Sequence, residues 1–274
     1  MLISLHFAAP QFANMLRHFL FVTFLLCSAA ATAQSEPFAL RTESTDLVGH
    51  KLRIDIYEPS SDPTGEVAIV AHGFTRTRVR HRDVAVALAT AGITVVVPDL
   101  PYIVDHWGNG NAIVELAHLL ETGAFGLPPV ARSRLVLIGT SAGGLASVLA
   151  AAKLPGLAGW VGLDPVDRTG TGISAAAHLT SPAVVLLAEP STCNLFGSGR
   201  SIARSIPGLL RYSLLGGASH CDFESPTTKL CRVVCGESSS EMQALVRAVT
   251  VGAVMEVLRV PGSQRTIGFI APPE

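Results

Sequence analysis

Charged side chains are scarce in this chain. They make up 15% of its 274 residues, and the two signs nearly cancel, with 20 Lys plus Arg against 21 Asp plus Glu. A balance this close to neutral gives no electrostatic case for nucleic acid or for an anionic membrane surface. Aromatics are also few, at 6%. There is no internal repeat, and no linker or change of composition divides the chain after Gln34, so one domain is expected. Apolar residues are plentiful, at 49%, enough for a sizeable core and against a disordered chain.

The first 33 residues read apart from the rest. Arg17 is their only charged side chain, followed by the apolar run Phe19–Leu26 and then by small residues ending in Ala31-Thr32-Ala33. A basic start, a short apolar run and an Ala-x-Ala ending describe a secretory signal peptide, with cleavage expected after Ala33 and a mature domain over 34–274. The run is short of the ~20 residues that span a bilayer. Met15 offers an alternative start to Met1, and a lipid anchor on Cys27 is the rival reading. Export to a secreted or periplasmic location suits the cysteines. Cys193, Cys221, Cys231 and Cys235 remain after cleavage, an even number in an oxidising compartment, which points to two disulfides with three possible connectivities. A four-sulfur zinc site is the competing reading.

From Lys51 onward, strand and helix patterns alternate. Lys51–Tyr57 alternates as a half-exposed strand does. Val67–Ala71, Thr94–Asp99, Arg134–Gly139, Trp160–Asp164, Ala183–Ala188 and Leu210–Leu215 read as further strands, several of them apolar throughout as buried parallel strands are. Helical spacing covers Asp83–Ala91, Ala112–Leu120, the Ala-rich stretch from Ser141 to Leu154, Ile173–Leu179 and Glu241–Leu258. The expected fold is α/β, a mostly parallel sheet with helices on both faces.

One motif carries the chemistry. Gly139-Thr140-Ser141-Ala142-Gly143 matches G-x-S-x-G, follows an apolar strand and opens a helix, which is the context a nucleophile elbow requires. The tight bend lifts the Ser141 hydroxyl above the sheet edge, at the positive end of the helix. The bland alternative is a Gly-rich phosphate-binding turn, but neither G-x-G-x-x-G nor a Lys after the glycines is present. Acyl transfer through serine needs two N–H groups to hold a negatively charged oxygen. Ala142, next after the nucleophile, supplies one, and Phe74, in the loop His72-Gly73-Phe74 after a strand, supplies the other. His72 lies on that loop and before the serine, so it reads as structural.

The order in such a chain is Ser, acid, His. His220, in the Gly-rich turn Gly216–Phe223 beyond the last strand, is the expected base. Two carboxylates close apolar strands with a Pro behind them, Asp164 before Pro165 and Glu189 before Pro190, and the pattern leaves both open as the acid. Asp167 is a third option, more simply a turn residue.

Taken together, these motifs resemble the α/β-hydrolase superfamily, in particular the branch of chlorophyllases, platelet-activating-factor acetylhydrolases and dienelactone-hydrolase-like proteins. The resemblance implies a serine esterase. Leu163-Asp164-Pro165-Val166 looks like the strand end that carries the acid in chlorophyllases, so the resemblance implies Asp164 with Glu189 as the alternative. Plant chlorophyllases carry Arg after the serine where this chain has Ala142, which speaks against chlorophyll as substrate. Bacterial polyester hydrolases are similar at the elbow but carry an aromatic residue or His where this chain has Thr140. The expected substrate is a small-molecule carboxylic ester, with no cofactor, no metal, no nucleic acid and no membrane anchor after cleavage. A polyester hydrolase, a thioesterase and a non-catalytic binding protein of the same fold are the alternatives. Tyr102 and Trp107, in an expected loop over Pro101–Gly110, are candidates for the substrate pocket. The basic run Arg76, Arg78, Arg80, His81, Arg82 is expected to be a solvated helix start, with contact to an anionic substrate as the other option.

Overall fold

The computed structural model describes residues 36–261; the expected signal peptide lies outside them. The strands are β1 (Phe38–Leu47), β2 (His50–Pro59), β3 (Val67–Ala71), β4 (Thr94–Pro98), β5 (Leu135–Thr140), β6 (Gly159–Leu163), β7 (Ala183–Leu187) and β8 (Leu209–Leu214). They form a single sheet in the order β1-β2-β4-β3-β5-β6-β7-β8. β1 and β2 pair antiparallel, β2 runs antiparallel to β4, and every later pairing is parallel.

The helices are α1 (Arg82–Thr90), α2 (His106–Glu121), α3 (Ala142–Ala151), α4 (Thr171–Ala176), α5 (Gly199–Arg204), α6 (Lys229–Cys235) and α7 (Ser240–Leu258). Successive side chains of a strand point to opposite faces, and that alternation splits the core into two layers. Ile69, Leu135 and Leu137 pack with Leu116, Leu145 and Leu149 of α2 and α3. Ala68, Val70, Val136 and Ile138 pack with Val84 and Leu88 of α1 and with Val254 and Val257 of α7. The central strands are therefore buried on both sides, which is why they are apolar throughout.

β1 carries no sequence signal because it is an edge strand of mostly polar residues, exposed along much of its length. Its turn into β2 is Val48-Gly49, both at positive φ (46° and 78°), the pairing that suits a two-residue hairpin. A second difference lies at Pro101–Gly110, expected as a loop: its last five residues are already helix. The glycines there mask the helical pattern but serve packing. A Cβ at Gly110 would sit 3.2 Å from the Ala146 carbonyl oxygen, so glycine lets α2 approach α3 closely. Asp105 caps the helix by accepting the Gly108 N–H at 2.8 Å.

Candidate active site

The site is built at the carboxyl ends of the parallel strands. Ser141 joins β5 to α3 at φ 55°, ψ −123°, a conformation that L side chains rarely adopt. Such strain of about 1–3 kcal/mol persists only where the surroundings hold it. Here the neighbouring glycines allow the holding. A Cβ on Gly139 would lie 2.3 Å from the Gly143 oxygen, and one on Gly143 would lie 2.3 Å from the His72 oxygen. The elbow therefore packs backbone against backbone under the end of β3. Ser141 N–H donates to Leu163 O at 3.1 Å, and Val166 N–H donates to Ser141 O at 3.1 Å, which fixes the bend against the end of β6.

Asp164 follows β6 and is fully buried. His220 opens a 3-10 turn (His220–Phe223) after β8. Ser141 Oγ lies 3.0 Å from His220 Nε2, and His220 Nδ1 lies 2.6 Å from Asp164 Oδ2. An ionised carboxylate only accepts, so Nδ1 carries the proton and Nε2 is free to accept from the serine. Glu189 is placed elsewhere. It is exposed, and its carboxylate accepts the Gly217 N–H at 3.4 Å. Asp167 caps α4, taking the N–H groups of Gly170 at 2.9 Å and Ile173 at 3.0 Å.

The N–H groups of Phe74 and Ala142 make no hydrogen bond among the described residues. Both residues line the cavity that exposes Ser141, of about 520 Å³, with Val104, His106, Leu145, Val166 and Leu195 among its other walls. His72 holds the loop behind them. Leu100 N–H donates to its Nε2 at 2.9 Å, so its proton sits on Nδ1 and donates to Gly73 O at 2.9 Å. Burial pushes the His72 imidazole below its ordinary pKa, which keeps it neutral in this role.

Trp107 and part of the basic run depart from expectation, while Tyr102 lines a small cleft that shares Phe74 and Ala142 with the Ser141 cavity, its hydroxyl 3.1 Å from His50 Nε2. Trp107 is not a wall of the Ser141 cavity; the Lys153 ammonium sits 5.0 Å from its ring centre. The reason is the early start of α2. Consecutive helical residues point about 100° apart, so His106 turns toward the cavity and Trp107 away from it. The basic run after β3 is solvated only in part: Arg82, the first residue of α1, is exposed, whereas Arg76, Arg78 and His81 are held by the protein. Arg76 Nε bonds both oxygens of Glu224, at 2.7 and 2.8 Å, and Arg78 is ion-paired with Asp55 and Asp99, each at 2.8 Å. His81 is completely buried.

The Arg76–Glu224 pair ties the Phe74 loop to the segment just after His220, and sequence reading missed it, since 148 residues separate the partners. It also missed Asn194, whose Nδ2 lies 3.1 Å from Asp164 Oδ2. The four cysteines form two pairs at disulfide distance, Cys193–Cys235 and Cys221–Cys231. Their sulfurs are used in pairing, which replaces the four-sulfur zinc reading. One bridge adjoins His220 and the other joins α6 to the loop that holds Asn194.

Neither family models nor curated protein sequences match this chain. Solved structures do, in large number. A crystal structure of dienelactone hydrolase from Anabaena variabilis aligns with a TM-score of 0.64 at 18% identity, covering 81% of this chain and all of that one. This chain has the α/β-hydrolase fold. In that fold the turn between β5 and α3, the end of β6 and the turn after β8 all open on the same edge of the sheet, where Ser141, Asp164 and His220 meet.

Proposed function

We propose that this chain is an exported serine hydrolase that cleaves carboxylic esters. The observation that carries the reading is the unbroken line from Ser141 Oγ through His220 to the buried Asp164, at 3.0 and 2.6 Å. In the proposed reaction Ser141 Oγ attacks the ester carbonyl carbon while His220 Nε2 takes the hydroxyl proton. Asp164 stabilises the imidazolium and keeps the ring oriented. The Phe74 and Ala142 N–H groups hold the oxyanion, each donor worth about 3 kcal/mol in the transition state. The proton on His220 passes to the leaving alcohol, and water then attacks the acyl-enzyme by the same route and releases the acid. Water supplies the second nucleophile, and the serine is regenerated.

The shared fold is consistent with this reading, since a dienelactone hydrolase is named for opening a lactone, which is an ester. Export is supported by the two cysteine pairs, which form and persist in oxidising compartments. Among the described residues no helix is long and apolar enough to cross a membrane. A second reading, a polyester hydrolase, is favoured by the exposed apolar side chains at the cavity mouth, Phe74 and Val104, 52% and 73% exposed. The test is hydrolysis of p-nitrophenyl esters of increasing acyl length and of a polyester film by the wild type and by Ser141→Ala. Turnover confined to the wild type is expected. Equal turnover by the two proteins would refute the serine mechanism, and a profile limited to short soluble esters would remove the polyester reading.

A further inference from the structure

We propose that Asn194 is a positioning residue for the acid, and that the segment from Ser191 to Ser198 is built to aim its side-chain amide at Asp164. The inference rests on the proposed Ser141 mechanism and adds a residue to it. Asn194 is completely buried. Its Nδ2 donates to Asp164 Oδ2 at 3.1 Å, with Oδ1 of the same carboxylate at 3.4 Å, and to the Glu189 carbonyl oxygen at 2.9 Å. Its Oδ1 accepts from the N–H groups of Ser191 at 2.8 Å and Gly197 at 3.0 Å. Exchanging the amide oxygen and nitrogen would set N–H against N–H on one side and oxygen against oxygen on the other, so the network permits a single orientation.

The two ends of the amide therefore have different tasks. Oδ1 closes the loop on itself, and Nδ2 reaches out of the loop to the acid. Leu195 and Phe196 both sit at positive φ, 50° and 56°, an unfavourable pair for non-glycine residues, and this sharp reversal brings Gly197 N–H back onto Oδ1. Immediately before Asn194, Cys193 is bonded to Cys235 of α6. The loop is thus held by a covalent bond on one side and by the amide on the other.

The consequence is at the carboxylate. Asp164 Oδ2 meets His220 Nδ1 at 2.6 Å, and Oδ1 accepts Ala188 N–H at 3.1 Å. Those two bonds alone leave the carboxylate free to rock about the line joining them. The Asn194 amide is a third partner that reaches both carboxylate oxygens, at 3.1 and 3.4 Å, and its role in the proposal is to restrain that rocking and keep Oδ2 aimed at the imidazole while the ring gains its proton in the transition state.

Asn194→Asp separates the two tasks. It retains an oxygen for Ser191 and Gly197 and replaces the donor by a second carboxylate oxygen beside Asp164. Two carboxyls at this distance hold one proton between them at low pH and repel when both ionise. The expected result with p-nitrophenyl acetate is a kcat lower by about 10- to 100-fold at pH 8 with KM within about twofold, as for a misplaced catalytic group. The deficit relative to wild type should shrink as pH falls toward 5.5, because a protonated carboxyl donates where the amide did. Asn194→Ser, assayed alongside, should show the lower kcat at every pH without that recovery. Unchanged kcat in either variant, or the same pH-independent loss in both, would overturn the proposal. Failure of Asn194→Asp to fold leaves the Asn194→Ser kcat and KM to decide, a rise in KM alone counting against it. Wild-type turnover that persists in Ser141→Ala would instead bring down the underlying mechanism, and this proposal with it.

Discussion

His81 makes the stability of this fold acid-sensitive by an amount that the structure sets. The residue lies in the basic run after β3 and is fully buried, and neither ring nitrogen has a hydrogen-bond partner among the described residues. Burial, with a smaller contribution from nearby His72, pushes its pKa down from 6.5 to about 3. In the unfolded chain the imidazole returns to an ordinary pKa near 6.5. Between these values the unfolded state binds a proton that the native state refuses. Stability is therefore complete above pH 6.5 and falls as pH drops through the interval toward 3. The loss amounts to about 2 kcal/mol at pH 5 and about 3 kcal/mol at pH 4. For a domain of this size, 2 kcal/mol corresponds to about 4–8 °C in Tm. Other groups also titrate in this range, and His72, lowered by burial, acts in the same sense. The decisive comparison is therefore between proteins. His81→Leu removes the titrating group and keeps an apolar side chain in the core. Thermal unfolding of both proteins from pH 7.5 to 4.5 should show the variant losing less stability by about 2 kcal/mol at pH 5. Parallel Tm curves for the two proteins would refute the reasoning.

Two further outcomes follow from the frame around the site. Reduction with a phosphine should lower Tm and activity together: the bridges span 42 and 10 residues, and loop closure of that length contributes about 4 and 3 kcal/mol as upper values; thermal scans and ester turnover that ignore the reductant would contradict this. Arg76→Ala leaves Glu224 buried without its partner, so it should destabilise the fold by about 3 kcal/mol and reduce kcat; denaturant unfolding checks the first and p-nitrophenyl acetate kinetics the second, and Arg76→Ala with wild-type values in both would show that the pair holds nothing.

The sequence made the sheet legible wherever strands are buried on both faces, because continuous apolar runs such as Val67–Ala71 and Ala183–Leu187 have no other comfortable place. It could not reveal β1, whose polar residues face solvent at the sheet edge. The elbow was readable because its chemistry and its backbone geometry need the same five consecutive residues. The residues around it were not. Arg76 meets Glu224 across 148 positions and Asn194 meets Asp164 across 30, contacts created by the crossovers of the sheet and by no local pattern. Ser191 three residues before Asn194 is the one local sign, a capping arrangement that marks a turn without saying what the turn faces. Trp107 shows the converse. Its type suggested a pocket wall, and one helical step placed it outside.

The central claim is that Ser141 carries an activated hydroxyl. Its most direct measurement is the site of covalent modification by a fluorophosphonate, read by peptide mass spectrometry at neutral pH. The mechanism predicts stoichiometric labelling at Ser141, abolished in Ser141→Ala and slowed at least a hundredfold in His220→Ala. An unlabelled wild-type protein, or a label on any other residue, would contradict it.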